Sequence, residues 1–126
     1  MGGGRMIEIE RIYDEKKGQS GYRVLVDRIW PRGLKKEDVK ADLWLRDVAP
    51  SSELRKWFGH EQDKWPEFKK RYFRELQGKK DDINILLEKE RQGKVILLFG
   101  AKDVEHNNAV ALKEYLEKKT PGERAA

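Results

Sequence analysis

Two rhythms of apolar residues run through this chain. Between residues 6 and 13, Ile7, Ile9 and Ile12 are separated by Glu8, Glu10 and Arg11, the alternation of a strand with one solvated face. Residues 14–21 are polar and predict a loop. Gly21 to Gly33 then breaks the alternation: Val24, Leu25 and Val26 are consecutive, and they lead into Asp27, Arg28, Ile29, Trp30, Pro31 and Arg32. An unbroken apolar triplet predicts a second strand buried on both faces, and Pro31 ends it. Lys94 to Gly100 has the same character through Val95, Ile96, Leu97, Leu98 and Phe99, which predicts a third, central strand.

Between these strands the spacing turns helical. Residues 35–40 suit a turn or two of helix, and residues 41–48 alternate well enough to be extended. Pro50 with Ser51 or Ser52 predicts a capped helix start, Leu54, Trp57 and Phe58 share one face, and Gly59 ends the helix, leaving His60 on a loop. From Asp63 to about Leu76, Trp65, Phe68, Tyr72 and Leu76 form an apolar stripe, Pro66 is tolerable in the first turn and Gly78 is the stop. Asp81 or Asp82 would cap a further helix carrying Ile83, Leu86 and Leu87, closed by a left-handed Gly93. A last helix is predicted over 104–119, with Ala111, Leu112, Tyr115 and Leu116 inward. Strands separated by helices, with continuous apolar runs in the best two, indicate a single small three-layer α/β domain: a short, mainly parallel sheet flanked by helices, with right-handed crossovers. Residues 6–119 would form it, with 1–5 as a flexible leader and 120–126 as a flexible tail.

Composition narrows the function classes. The 126 residues are enough for one domain, and 40% of them are charged. Twenty-eight Lys and Arg against 23 Asp and Glu leave 28 − 23 = +5, a mild basic excess compatible with nucleic acid without requiring it. Cysteine is absent, so disulfides, thiol catalysis and thiolate metal sites are excluded, and a reducing cytoplasm is the expected home. The longest apolar run, Val95 to Phe99, is far too short to span a membrane, so the protein is expected to be soluble.

In open α/β sheets ligands bind beyond the carboxyl ends of the strands. The segments 27–33 and 100–108, which leave the second and third strands, are therefore expected to share one rim. Asp27 could orient a ligand hydroxyl or take a proton, and Arg28 and Arg32 present planar forks suited to phosphate or carboxylate; alternatively an internal Asp-Arg pair pins the loop. On the other segment Asp103 is a plausible helix cap that would place His106 one turn inside the helix, and Asn107 and Asn108 are either ligand-facing or backbone ties, with Asn108 expected to point inward. A third group, Arg55, Trp57, Phe58 and His60, places an imidazole beside aromatic residues that read more simply as core. Trp30 and Trp44 would cover the cleft or the sheet. Histidine titrates nearest neutrality of the side chains, which makes His60 and His106 the acid-base candidates, with Asp27 and Asp103.

Other chemistries find no motif. His60, His106, Asp27 and Asp103 lack a recognised metal-ligand spacing, so no metal is expected. Neither Arg32-Gly33 nor Phe99-Gly100-Ala101 carries enough glycine for a phosphate or dinucleotide loop, no serine sits in a nucleophile elbow, and no cofactor is implied.

Five segments, Tyr22 to Gly33, Asp42 to Leu45 with Ala49-Pro50-Ser51, Leu54 to His60, Trp65 to Leu76, and Glu105 to Ala109, occur in an order that resembles the YeaO-like family, domain of unknown function 488. The resemblance spans most of Met6 to Leu116 and implies a small α/β domain with no established activity.

Two functions therefore compete. The first is a binding domain or enzyme for a small anionic or nucleotide-like molecule, clamped by Arg28, Arg32 and Arg55 with Trp30 and Asn107 contributing; it requires Asp27, Arg32, His60 and His106 to converge. The second is a nucleic-acid or acidic-partner binder using the basic helix, where residues 61–80 hold seven Lys and Arg against four acids, 7 − 4 = +3. A third, plainer reading makes the polar residues loop braces.

Overall fold

The computed structural model describes residues 6–14 and 20–125, with side chains described through Lys119. The predicted leader lies outside the described residues. Among the described residues four strands form one sheet: β1 (Ile7–Arg11), β2 (Tyr22–Leu25), β3 (Leu43–Trp44) and β4 (Val95–Phe99). Their spatial order is β1-β4-β2-β3, and every neighbouring pair is parallel. The continuous apolar runs are thus the two central strands, as their pattern requires: β2 pairs with β4 from Tyr22 opposite Val95 to Leu25 opposite Leu98. All five residues of β4 are buried, and each such apolar side chain contributes about 1.5–3 kcal/mol relative to exposure. β1 is an edge strand, buried at Ile7 and half-buried beyond it, in keeping with its charged alternate positions. The extended segment expected at 41–48 narrows to the two residues of β3, followed by a 3₁₀ turn over Arg46–Val48.

Among the described residues five α-helices accompany the strands: α1 (Lys36–Val39), α2 (Ser52–Phe58), α3 (Trp65–Gln77), α4 (Lys80–Gln92) and α5 (Asn108–Ala125). One face of the sheet, through Val24, Val26, Val95, Leu97 and Phe99, meets α2 to α5 in the larger core. The other face, through Leu25, Ile96 and Leu98, is covered by Val39 of α1 and by Trp30, Leu34 and Trp44. The result is a four-stranded parallel α/β domain whose second covering layer is thin.

Local chemistry sets most helix boundaries. Ser51 is the cap of α2: its hydroxyl accepts from the Leu54 N–H at 3.1 Å, and Gly59, at φ 52°, ends the helix in the left-handed region. Three boundaries differ from expectation. Lys79 occupies the cap position of α4, so Asp81 and Asp82 sit in its first turn, where they still favour the positive end of the helix. Gly93 is extended rather than left-handed, with φ 163° and ψ −162°. α5 begins at Asn108 rather than 104, because Asn107 is its cap: the Asn107 side-chain oxygen accepts from the Val110 N–H at 3.0 Å.

Candidate functional site

β2 and β4 end side by side, and the chain leaves them in opposite directions. After β2 it passes through α1 to β3 at one edge of the sheet, and after β4 it enters α5, which contacts β4 and β1. Such a divergence opens a crevice between the two loops, the place where α/β sheets hold ligands. A cleft of about 450 Å³ lies there, lined by the loop after β2, the loop after β4, the start of α5 and the exposed side of α2.

Asp27 forms the floor. Its Oδ2 accepts from the Gly100 N–H at 2.8 Å, and its Oδ1 accepts from the Asn108 side-chain amide at 3.1 Å. The same Asn108 nitrogen donates to the Val26 carbonyl at 3.0 Å, so one asparagine ties the start of α5 to the end of β2. Burial raises the Asp27 carboxyl above its ordinary value; the bonds from Asn108 and Gly100 and the charge of Arg55 oppose that shift without cancelling it. Asp27 is thus the latch that joins β2, β4 and α5. The alternative expectation of an internal Asp-Arg pair is not met among the described residues: the Asp27 carboxylate accepts from two amide N–H groups instead.

Arg28 lines the cleft next to it, and its buried Nε has no hydrogen-bond partner. A buried guanidinium N–H without a partner costs free energy on the order of 1–3 kcal/mol, so such atoms call for an explanation. From α2 come Arg55 and Lys56, both exposed; an Arg55 guanidinium nitrogen donates to the Ser52 hydroxyl at 3.3 Å. Among the described residues neither Arg28, Arg55 nor Lys56 forms an ion pair. His60 reaches the cleft from beyond the left-handed Gly59 and is itself left-handed, at φ 61°, with its ring 6.2 Å from that of Phe58. Two successive residues in that conformation turn the imidazole back toward the cleft.

His106 enters from the other wall. Its Nδ1 is 3.1 Å from Asp103 Oδ2, and its ring meets Trp65 edge-on at 5.4 Å. Asp103 also accepts from the Glu105 N–H at 2.9 Å and the His106 N–H at 3.0 Å; the Glu105 bond leads the set that holds its carboxyl below the ordinary value. A carboxylate on Nδ1 fixes that nitrogen as the donor, so a neutral His106 keeps its lone pair on Nε2. His106 precedes α5 rather than lying one turn inside it, and Asp103 closes a turn rather than capping the helix.

The fold brings together Asp27, Arg28, Arg55, His60, His106, Asn107 and Asn108. It does not bring Arg32, which is exposed outside the cleft, where its carbonyl accepts from the Tyr13 hydroxyl at 3.0 Å. The four-residue convergence required of the anion site is therefore not met: Asp27, His60 and His106 line the cleft and Arg32 does not, because Gly33, at φ 82°, lies in a turn that leads the chain away to α1. Trp30 is on the far face of the sheet, where it meets Trp44 at 5.3 Å and donates to the Leu34 carbonyl; Trp44 donates to the Asp27 carbonyl at 2.8 Å. Both indoles cover the sheet. Asp103 acts on the cleft through His106 without lining it. Trp57 is half-buried, packed against the edge of the core with the Arg71 guanidinium 4.2 Å from its ring centre, while Phe58 is core and also lines the cleft. Lys56, Ser52 and Ile29 also line the cleft; Ser52 was visible only as a possible helix cap, and no local signal marked Lys56 or Ile29 as facing a site.

Elsewhere the basic helix is partly neutralised: Lys69 pairs with Glu114 at 2.9 Å and Arg71 with Glu67 at 3.0 Å. Among the described residues no group of three His, Cys, Asp or Glu side chains gathers to hold a metal, and no helix is long and apolar enough to cross a membrane.

An α/β domain with a basic cleft at the carboxyl edge of its central strands is the class of protein that fold and site define. The chain belongs to the YeaO-like DUF488 family: residues 6–126 match the family model described as the inactive DUF488-N3 subclade. It is 37% identical to the uncharacterized protein YeaO of Escherichia coli over 110 residues, 87% of this chain and 96% of that protein. It is also 46% identical over 70 residues to the uncharacterized proteins Mb3100c of Mycobacterium bovis and Rv3073c of Mycobacterium tuberculosis, 56% of this chain and 59% of each of theirs. No solved structure matches the chain.

Proposed function

We propose that this protein is a cytoplasmic binding domain for a small anionic or nucleotide-like ligand, held in the cleft beyond β2 and β4. The observation that carries the reading is Arg28, whose buried Nε lacks a partner in a cleft that also receives Arg55 and Lys56. With its Nε shielded, Arg28 would hold a ligand through its terminal guanidinium nitrogens, and Arg is the side chain best suited to hold phosphate or carboxylate through parallel N–H bonds. Asp27 serves as the brace that positions Arg28, since both its oxygens are already engaged.

Binding suits the site better than turnover. The subclade whose model the chain matches is described as inactive. His60 and His106, with Asp103 behind His106, supply donors and acceptors to the ligand in this reading rather than a proton-transfer step. The absence of cysteine fits the reducing compartment.

Isothermal titration with inorganic phosphate and sulfate at low ionic strength tests the proposal. Saturable binding that falls at least tenfold in both Arg28→Gln and Arg55→Gln is expected, about 1.4 kcal/mol for each. A folded wild-type protein that binds neither anion, or binding indifferent to both substitutions, overturns it.

A further inference from the structure

Resting on the anion-cleft reading, we infer that the ligand is a phosphate monoester whose ester group is apolar, its phosphate against Arg28 and Arg55 and its body against Ile29. Three independent features of the cleft lead there. The first is charge. Arg28, Arg55 and Lys56 supply three positive groups, and among the described residues Asp27 is the one carboxylate lining the cleft, so these four side chains carry 3 − 1 = +2. A carboxylate ligand neutralises half of that. A phosphate monoester, at about −1.5 to −2 near pH 7, matches it.

The second is size. The cleft volume is about 450 Å³. The five heavy atoms of a phosphate fill a minor part of such a space, which lies in the range that encloses a larger organic molecule. The third is the wall beside the cations. Ile29 comes directly after Arg28 and lines the same cleft, yet it is 66% exposed, the most exposed of the large hydrophobic side chains among the described residues. Phe58, Pro50 and Ala101 continue the apolar lining inward from it. An isoleucine left in water beside a guanidinium short of a partner makes one surface for an ester group next to one for its phosphate, and covering the isoleucine is favourable in proportion to the area removed from water.

The test compares four probes by titration calorimetry at pH 7.5: inorganic phosphate, methyl phosphate, phenyl phosphate and benzoate. Phenyl phosphate is expected to bind at least tenfold more tightly than methyl phosphate and than benzoate. In Ile29→Ser, a surface change that leaves folding intact, its advantage over methyl phosphate should shrink to about twofold. Equal affinities for phenyl and methyl phosphate would overturn the apolar body while leaving the anion cleft standing. Equal affinities for phenyl phosphate and benzoate would overturn the dianion. Binding of none of the four by folded protein would refute the cleft reading itself.

Discussion

Replacing Asp27 by alanine removes the carboxylate that joins three elements. Two donors lose their acceptor: the Gly100 N–H, 2.8 Å from Oδ2, and one N–H of Asn108, 3.1 Å from Oδ1, while Asn108 keeps its bond to the Val26 carbonyl. Hydrogen bonds to a charged group contribute about 1.5–3 kcal/mol each, so the gross loss is about 3–6 kcal/mol. Two effects reduce it. The buried charge that raises the Asp27 carboxyl disappears, and water entering from the cleft can meet the orphaned donors. A net destabilisation of about 2 kcal/mol is expected, equivalent to about 8 °C in Tm for a domain of this size.

The pH dependence has a definite sign. The folded-state value of Asp27 lies above its ordinary value of 3.8, so the folded protein binds that proton more tightly than the unfolded chain does. The stability conferred by the titrating group is therefore fully present below 3.8 and is lost as pH rises through the raised folded value. The difference between wild type and Asp27→Ala should be larger at acid pH than at neutral pH, and flat above the folded value. Urea unfolding of both proteins at pH 4 and pH 7.5 reads this directly, since other groups cancel in the difference. A penalty below about 0.5 kcal/mol would refute the latch, and one that grows with pH would refute the raised folded-state value of Asp27.

Three further substitutions probe the frame around the cleft. Tyr72→Phe leaves the Val48 carbonyl without the buried hydroxyl that donates to it at 2.7 Å, and should cost about 1–2 kcal/mol in denaturant unfolding; an unchanged midpoint would show that the bond contributes nothing. Ser51→Ala removes the cap of α2 together with a 2.7 Å bond from the serine hydroxyl to Glu75. A loss of about 1–2 kcal/mol is expected, with a double-mutant cycle against Glu75→Ala showing at least about 0.5 kcal/mol of coupling; strict additivity would mean that α2 and α3 are not joined there. At the left-handed His60, glycine should be within about 0.5 kcal/mol of wild type and valine should cost about 1–2 kcal/mol, measured by Tm; equal values for the two would show that the conformation is not maintained.

Much of the architecture was written in local patterns. The unbroken runs Val24 to Val26 and Val95 to Phe99 identified the central strands because only burial on both faces tolerates such a run. Ser51 and Gly59 marked the ends of α2 through cap chemistry confined to a few neighbours. The start of α5 was less legible, since Asp103 and Asn107 are both competent caps. What separates them is geometric: Asp103 accepts from its near neighbours Glu105 and His106 in a turn, and Asn107 holds the first turn of the helix through Val110. Gly93 misled for a similar reason, since a glycine after a helix permits the left-handed region without requiring it.

The site divides along the same line. The residue types were visible, because Asp27, Arg28, His60 and His106 lie just beyond strand or helix ends, and the rule for parallel sheets places the two loops together. Their sorting was not. Arg32 is four residues from Arg28 and chemically identical to it, yet the turn at Gly33 carries it out of the cleft, and Trp30 turns to the far face of the sheet to meet Trp44. Lys56 and Ile29 acquire meaning only when α2 is set against the ends of β2 and β4. The sequence by itself determined the elements, the central strands and the rim, because burial and capping depend on near neighbours. Which cations share a cleft, which aspartate is consumed as a latch and which guanidinium is left without a partner were settled only by the packing of distant segments, from 27 residues apart for Arg28 and Arg55 to 73 for Asp27 and Gly100.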